Sequence, residues 1–304
     1  MEDRTATIQI SIIMLTYQRA SLIRESIISV IQQSFQAFEL LILDDGSSDD
    51  TRAIIGSIND PRIKYFYLEH SGKIAALRNV GIQKAEGEYI AFLDSDDLWE
   101  KDKLEKQYSI LQTHPEVGFT FSDVEEFNVN GFSRKGIYNS LPQGQSFYKG
   151  SIFDLMITNR MAVYPSSLLF RKTCLAQTGL MDERLHPGET NFIIRLSALF
   201  EAYILFECST KIRKHPENIS ILLPEAAADE MIQTVRHFYK TGKIDQKKYN
   251  ASLLSLQYDL AMTYWRGAEF RACRKMLLQC LKINPLFIKA YMRYILSWFK
   301  TNKK

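Results

Sequence analysis

Two clusters of carboxylates end two apolar runs, fifty residues apart in the chain. Leu40-Leu41-Ile42-Leu43 leads into Asp44-Asp45-Gly46-Ser47-Ser48-Asp49-Asp50, and Tyr89-Ile90-Ala91-Phe92-Leu93 leads into Asp94-Ser95-Asp96-Asp97. Continuous apolar runs read as buried parallel strands, and ligands of open α/β sheets gather at strand carboxyl ends. Carboxylates brought together there repel one another unless a cation lies between them. The pattern therefore points to a divalent cation and a phosphorylated ligand in one crevice. In the first cluster Gly46 permits a tight turn, and Asp44 and Asp45 are acceptors for ring N–H or ribose hydroxyl groups. In the second, alternating carboxylates suit Mg2+ or Mn2+, whose shell substrate phosphates complete. The plainer alternatives are an acidic helix entry and a solvated acidic turn.

These side chains need a sheet to hold them, and the flanking pattern supplies one. Strands are expected over Ile8–Leu15, Phe38–Leu43, Ile63–Leu68 and Tyr89–Leu93, with helices over Ser21–Gln33, Thr51–Ile58 and Lys73–Ala85. Such alternation implies crossover units and a mainly parallel sheet. Gly87, just past the third helix, suits a left-handed cap. Beyond Asp97 the pattern is mixed. A helix is expected at Lys101–Thr113 and a strand at Val117–Phe121, then a hairpin of Glu125–Val129 and Phe132–Tyr138 around Asn130-Gly131. A strand at Pro165–Phe170, a helix at Asn191–Phe200 and short strands at Ala202–Leu205 and Thr210–Arg213 follow. From Pro224 the chain reads as helices only, and Leu260–Pro285 resembles one tetratricopeptide-like pair, which cannot bury its own face alone. The expected organisation is an α/β body over 1–223, with a nucleotide-side half at about 8–97 and a second-substrate half at about 98–223, then a helical region over 224–304.

Of the 304 residues, 46% are hydrophobic and 24% charged, which excludes wholesale disorder. The net charge of +3 hides an asymmetry: residues 225–304 carry 15 Lys/Arg against 6 Asp/Glu, and residues 1–224 carry 23 against 29. An acidic body and a basic tail without a known binding module argue against nucleic acid as a partner. Cys174, Cys208, Cys273 and Cys280 show neither the close pairs of a zinc site nor a secreted disulfide framework, which fits a reduced, cytoplasmic compartment. Ile8–Leu15 is broken by Gln9 and Ser11, unlike a signal-peptide core, and no stretch reaches the roughly 20 apolar residues of a membrane span. The basic, aromatic stretch Tyr291–Lys304 is compatible with peripheral contact at the inner face of an anionic membrane. A packed terminal helix is the plainer reading of that stretch, and contact within a homo-oligomer through the C-terminal helices is a third.

Ile10–Arg19, Leu43–Asp49, and the stretch from Gly72 through Arg78-Asn79-Val80-Gly81-Ile82 to Gly87–Trp99 resemble, in order, motifs of the family 2 glycosyltransferases with the GT-A fold. Weaker features continue to Arg213-Lys214-His215 and Ser220. The resemblance implies a Rossmann-like α/β fold with a mixed, mainly parallel sheet flanked by helices, here with an α-helical C-terminal appendage. It also implies inverting transfer from a nucleotide-sugar donor, UDP-linked, to a glycan or lipid-linked acceptor in polysaccharide or surface-glycan assembly, with Mn2+ or Mg2+ as cofactor. By motif match Thr16, Tyr17, Arg19, Asp44, Asp45, Arg78, Asp94 and Ser95 fall on the donor side. Asp94 and Asp96 form the metal-binding DxD pair, and His215 is a further candidate for metal or diphosphate.

An inverting transferase needs a general base within hydrogen-bond reach of the acceptor hydroxyl. The family's Glu-Asp pair aligns with Glu189-Thr190, so threonine stands where the Asp base is expected, and Asn191-Phe192 replaces the aromatic-Asp step that follows. Glu189, shifted by one position, is the candidate catalytic base, ahead of Asp182 and Glu183. The alternative is a catalytically weak nucleotide-sugar-binding subunit that acts through its helical tail.

Overall fold

A computed structural model describes residues 7–138, 140–142, 144–218 and 222–300. Ser220 and the last four residues of the Tyr291–Lys304 stretch lie outside them. The first half alternates β1 (Ile10–Thr16), α1 (Ile23–Ile31), β2 (Phe38–Asp44), α2 (Thr51–Gly56), β3 (Ile63–Tyr67), α3 (Ile74–Lys84) and β4 (Tyr89–Asp94). The apolar runs of β1, β2 and β4 are buried almost end to end, as strands covered on both faces must be. Each Ile or Leu fully withdrawn from water there contributes roughly 1.5–3 kcal/mol before entropy is subtracted. The second half adds β5 (Leu98–Trp99), α4 (Lys103–Thr113), β6 (Val117–Phe127), β7 (Ser133–Lys135), β8 (Phe147–Gly150), α5 (Phe153–Ile157), a 3-10 turn at Pro165–Ser167, β9 (Leu168–Arg171), α6 (Leu175–Thr178), α7 (Glu189–Ser197) and β10 (Glu201–Arg213).

One sheet runs β3-β2-β1-β4-β9-β6-β10-β5, with β7 beside β6 and β8 beside β10. Strands β3, β2, β1 and β4 are mutually parallel, and β6 is parallel to β10. Strand β9 joins the two halves by running antiparallel to both β4 and β6. At the carboxyl end of β1, Thr16 pairs with Asp44 on one side, and Leu15 pairs with Asp94 on the other. The two acidic clusters thus leave the sheet at one level, flanking the strand where the order reverses. That switch point is where open α/β sheets bind ligands.

Four local expectations are corrected. Gly87 does not adopt a left-handed conformation; a Cβ there would lie 2.7 Å from the Ser11 nitrogen and 2.8 Å from the Ile10 carbonyl carbon, so it is a close-approach glycine. The strand foreseen from Pro165 begins at Leu168, because Pro165–Ser167 closes a 3-10 turn first. Ala202–Leu205 and Thr210–Arg213 belong to one strand, β10, interrupted by register shifts on either side of Cys208. The hairpin keeps Gly131 at a positive φ of 82°, but its strands stop at Phe127 and restart at Ser133, with Asn128 Oδ1 accepting from the Asn130 and Phe132 amides in between.

The chain divides into two compact units, Met1–Phe153 with Ala162–His215, and Asp154–Met161 with Pro216–Lys304. The first holds the sheet. The second contains helices at Pro224–Lys240, Gln246–Arg266, Phe270–Ile283 and Ile288–Leu296, the last three packed around Ala261, Tyr264, Cys273, Leu277, Cys280 and Ala290. Among the described residues no helix is long and apolar enough to cross a membrane.

Candidate functional site

At the end of β2, Asp44 and Asp45 build the loops around them. Asp44 is fully buried; its Oδ1 accepts from the Ser47 amide at 2.8 Å and its Oδ2 from the Tyr65 hydroxyl at 2.7 Å. The phenol of Tyr65 is pushed well above its usual range by burial and by that carboxylate. Asp45 accepts from the Ser71 and Gly72 amides, both at 2.8 Å, and its Oδ2 lies 3.0 Å from His70 Nδ1. Because Nδ1 also faces the Asp45 carbonyl at 2.9 Å, that nitrogen carries a proton. His70 is thereby fixed in a plane stacked on Tyr17, with centroids 4.2 Å apart and 17° between planes. Both rings keep an exposed edge at the carboxyl ends of β1 and β3. Thr16 Oγ1, just beneath, is buried without a hydrogen-bond partner among the described residues.

Arg78 is the hub on the other side of β1. Its side chain is fully buried and all three of its nitrogens are used. Nη1 donates to the Ile13 carbonyl at 2.7 Å, Nη2 to Asp94 Oδ1 at 2.5 Å, and Nε to Glu189 Oε1 at 2.8 Å. The guanidinium also lies over the Phe92 ring, 4.7 Å from its centroid. A buried cation survives only with such complete pairing. Helix α3 brings Arg78 this close because Gly81 leaves room for Ile13, whose Cγ2 would be 2.5 Å from a Cβ. Glu189 arrives at the first turn of α7 through Gly188, whose φ of 91° and closeness to Ala75 exclude a side chain.

The Asp94–Asp97 turn is pinned from below by Ser166. Its hydroxyl donates to Asp97 Oδ2 at 2.6 Å and accepts from the Asp94 amide at 3.1 Å, while its carbonyl accepts from Trp99 Nε1 at 2.7 Å. The Arg213 amide donates to Asp97 Oδ1 at 3.0 Å and its Nε to the Asp96 carbonyl at 3.0 Å. Ser95 is buried, and its carbonyl accepts from Ser26 Oγ at 2.9 Å. His215 Nε2 stands 2.8 Å from Asp96 Oδ2. Burial pushes the Asp97 carboxyl well above its usual range, with Asp96 and Asp94 pushing the same way. Asp94 is raised by its enclosure and by Asp96, against the opposing charges of Arg78 and Arg19. Among the described residues no group of three or more His, Cys, Asp or Glu forms a ready-made metal cage.

The structure thus brings Arg19, Arg78, Asp94, Asp96, Glu189 and His215 into one linked cluster, with Thr16 and Tyr17 at the neighbouring strand end. Asp182 is taken up by Arg184, and Glu183 Oε1 accepts from buried Asn79, which ties the 181–183 loop to α3. Thr190 is partly exposed beside Glu189. Sequence reasoning missed Ser166, His70 and Arg213 as organisers. A lone serine after proline or a lone histidine after a strand carries no spacing signal. Their partners are set by the sheet.

Residues 11–173 match the model of the family described as Glycosyl transferase family 2. A Rickettsia felis protein described as an uncharacterized glycosyltransferase is 38% identical over 183 residues, covering 60% of this chain and 29% of that protein. The Escherichia coli UDP-Glc:alpha-D-GlcNAc-diphosphoundecaprenol beta-1,3-glucosyltransferase WfgD is 40% identical over 126 residues, covering 41% of this chain and 49% of its own. The chain therefore spans less than half the length of either relative. Residues 1–349 of TarS from S. aureus, solved in complex with UDP-GlcNAc, share the fold with a TM-score of 0.62 at 19% identity, over 95% of this chain and 89% of that one.

Proposed function

Since the chain belongs to glycosyl transferase family 2, we propose that it transfers a sugar with inversion from a UDP-linked donor to a hydroxyl of a glycan or lipid-linked acceptor. The observation that carries this reading is the register of β1, which sets Asp44 and Asp94 level on either side of one strand end. On that edge the Tyr17–His70 stack offers a flat, partly exposed surface for a base, and the unpartnered Thr16 hydroxyl has hydrogen-bonding capacity to spare. Asp44 and Asp45 act here by shaping the loops that frame the base. UDP-GlcNAc is what TarS holds, and a diphosphoundecaprenol-linked sugar is the acceptor in the name of WfgD. Both support a nucleotide-sugar donor and a lipid-linked acceptor for this chain.

The residues present fit Mn2+ or Mg2+. Asp96 Oδ2 and His215 Nε2 stand 2.8 Å apart beside Asp94 and Asp97. Carboxylates are the ligands such hard ions take, with substrate phosphates completing the shell, and the mutual repulsion among Asp94, Asp96 and Asp97 is relieved by a cation. Asp96 and His215 would hold the ion, with the Asp94 carboxylate adding negative charge nearby, and the ion would supply charge neutralisation for the leaving diphosphate. Arg78 fixes Asp94, Arg19 adds positive charge beside it, and Ser166 holds the turn in shape. The acceptor oxygen attacks the anomeric carbon, the bond to the diphosphate breaks with its electron pair, and the hydroxyl proton passes to Glu189. Arg78 Nε, 2.8 Å from Glu189 Oε1, fixes where that carboxylate points.

A thermal-shift panel of nucleoside diphosphates and nucleotide-sugars, with and without Mn2+, tests donor binding. A donor at one hundred times its Kd stabilises by about 2.7 kcal/mol, or about 5–10 °C for a chain of this size. UDP compounds are expected to shift Tm only with the cation. A panel without any nucleotide-dependent shift overturns the reading. Donor binding with no transfer to any acceptor returns the chain to the non-catalytic alternative that Thr190 suggests.

A further inference from the structure

The helix Ile288–Leu296 is amphipathic the wrong way round for a packed helix. Its inner face consists of Ala290 and Ser297, both fully buried, and Tyr294, which joins the helical core. Its outer face carries Ile288, Tyr291, Met292 and Ile295, continued by Trp298 and Phe299 in the 3-10 turn Ser297–Phe299. At 3.6 residues per turn these positions form one stripe. They are open to solvent: Ile288 is 70% exposed, Trp298 63% and Phe299 82%. Scattered exposed apolar side chains need no explanation, but a contiguous stripe of this kind marks an interaction surface.

The surrounding charge selects the occupant. Phe270–Lys304 contains nine Lys/Arg and no Asp or Glu. Lys289 and Lys300, next in the chain to Ile288 and Phe299, are exposed, and Arg274 sits over the Trp298 ring, 4.4 Å from its centroid. A second copy of the chain is a poor occupant, because a two-fold contact would lay this cationic surface on itself, and like charges facing each other oppose association. An apolar stripe bearing Tyr and Trp with a purely basic border instead has the composition of a helix lying in the plane of an anionic bilayer. We propose that this face of the second unit docks the protein on a membrane surface containing anionic lipid, with Ile288, Met292, Ile295 and Phe299 entering the acyl boundary and the lysines meeting the headgroups. This inference stands apart from the transfer reaction and holds whether or not the catalytic reading does.

Flotation of the full chain with vesicles tests it. On phosphatidylcholine containing about 30 mol% phosphatidylglycerol, binding is expected to exceed that on phosphatidylcholine alone at least tenfold, since each Lys or Arg near an anionic surface is worth roughly fivefold. Raising the salt to about 0.5 M should remove most of that difference. Ile295→Glu combined with Phe299→Ser should abolish binding, and Lys289→Glu with Lys300→Glu should remove the preference for anionic vesicles. All four side chains are exposed, so Tm is expected to stay within about 2 °C of the parent, a shift of less than 1 kcal/mol. Absence of flotation, or equal flotation with neutral and anionic vesicles, overturns the proposal. So does sedimentation of the lipid-free chain as a dimer that Ile295→Glu dissociates, because the stripe would then belong to a second copy.

Discussion

Arg78 Nε lies 2.8 Å from Glu189 Oε1, and the same buried guanidinium holds Asp94 through Nη2, so the candidate base and the first candidate metal carboxylate share one cation. Residues 111 positions apart in sequence are thereby locked to the strand end where the donor is proposed to bind. Removing the cation strands two carboxylates. Arg78→Met is expected to cost about 3–5 kcal/mol of stability, the usual penalty for breaking one side of a buried ion pair. Urea unfolding of the variant and parent measures it, and a loss below 1 kcal/mol would mean that Asp94 and Glu189 find other partners.

Glu189→Gln keeps the shape of the side chain and an oxygen able to accept from Arg78, but it cannot take a proton. With Glu189 as base, kcat should fall about 10²–10⁴-fold while donor affinity, read by thermal shift, changes little. Near-normal turnover in this variant sinks the assignment. Thr190→Asp is the companion test, since it restores a carboxylate at the adjacent, partly exposed position. Little change in rate is expected if Glu189 already does the work. A large gain would place the natural position of the base at residue 190.

Ser166 should matter more than a serine usually does. Its hydroxyl is the common partner of the Asp97 carboxylate and the Asp94 amide, and it is wholly buried. Ser166→Ala leaves both groups short of a partner, a cost of about 1–3 kcal/mol. It should also loosen the turn that presents Asp94 and Asp96. Mn2+-dependent stabilisation by UDP is therefore expected to weaken along with Tm. A drop in Tm with unchanged donor affinity would confine Ser166 to the core.

Much of this arrangement was legible in the sequence because strand ends and acidic clusters are local signals. Ile10–Thr16, Phe38–Asp44 and Tyr89–Asp94 announce themselves as apolar runs, and their carboxylates follow directly. The GT-A fold is accordingly what the chain adopts. What stayed hidden depends on distant partners. Arg78 looks on sequence like a residue reaching for diphosphate, whereas its buried position commits it to Ile13, Asp94 and Glu189. Gly87 carries a helix-cap signature, but the neighbouring backbone of β1 decides its role. Strand β10 read as two pieces because its register shifts around Cys208 break the alternation that marks a strand.

The contact between Asp96 and His215 separates a metal site from a plain ion pair. If both are ligands, Asp96→Asn and His215→Ala should each weaken Mn2+-dependent binding of UDP at least tenfold, while Tm without metal moves by less than about 1 kcal/mol equivalent for these partly exposed groups. Isothermal titration with Mn2+ and UDP reads the first effect and a metal-free melt the second. A variant that melts early yet binds Mn2+ and UDP normally would make the pair structural.

Lys103 gives the first unit an alkaline dependence of known sign. Its side chain is fully buried, with Gln107 Oε1 at 2.6 Å and the Trp99 ring 4.1 Å from Nζ. Burial pushes its pKa well below the usual lysine range. The unfolded chain, with an ordinary pKa near 10.4, therefore binds more protons than the folded one at any pH between the two pKa values. Stability consequently rises with pH between the depressed folded pKa and the unfolded value, by at most about 1.4 kcal/mol per pH unit. Lys103→Met removes this dependence whatever its effect on packing. The difference in Tm between parent and Lys103→Met should thus shift in favour of the parent as pH is raised from about 7 towards about 10. A flat difference across that range would show that Lys103 keeps its proton inside the fold, held by Gln107 and the face of Trp99.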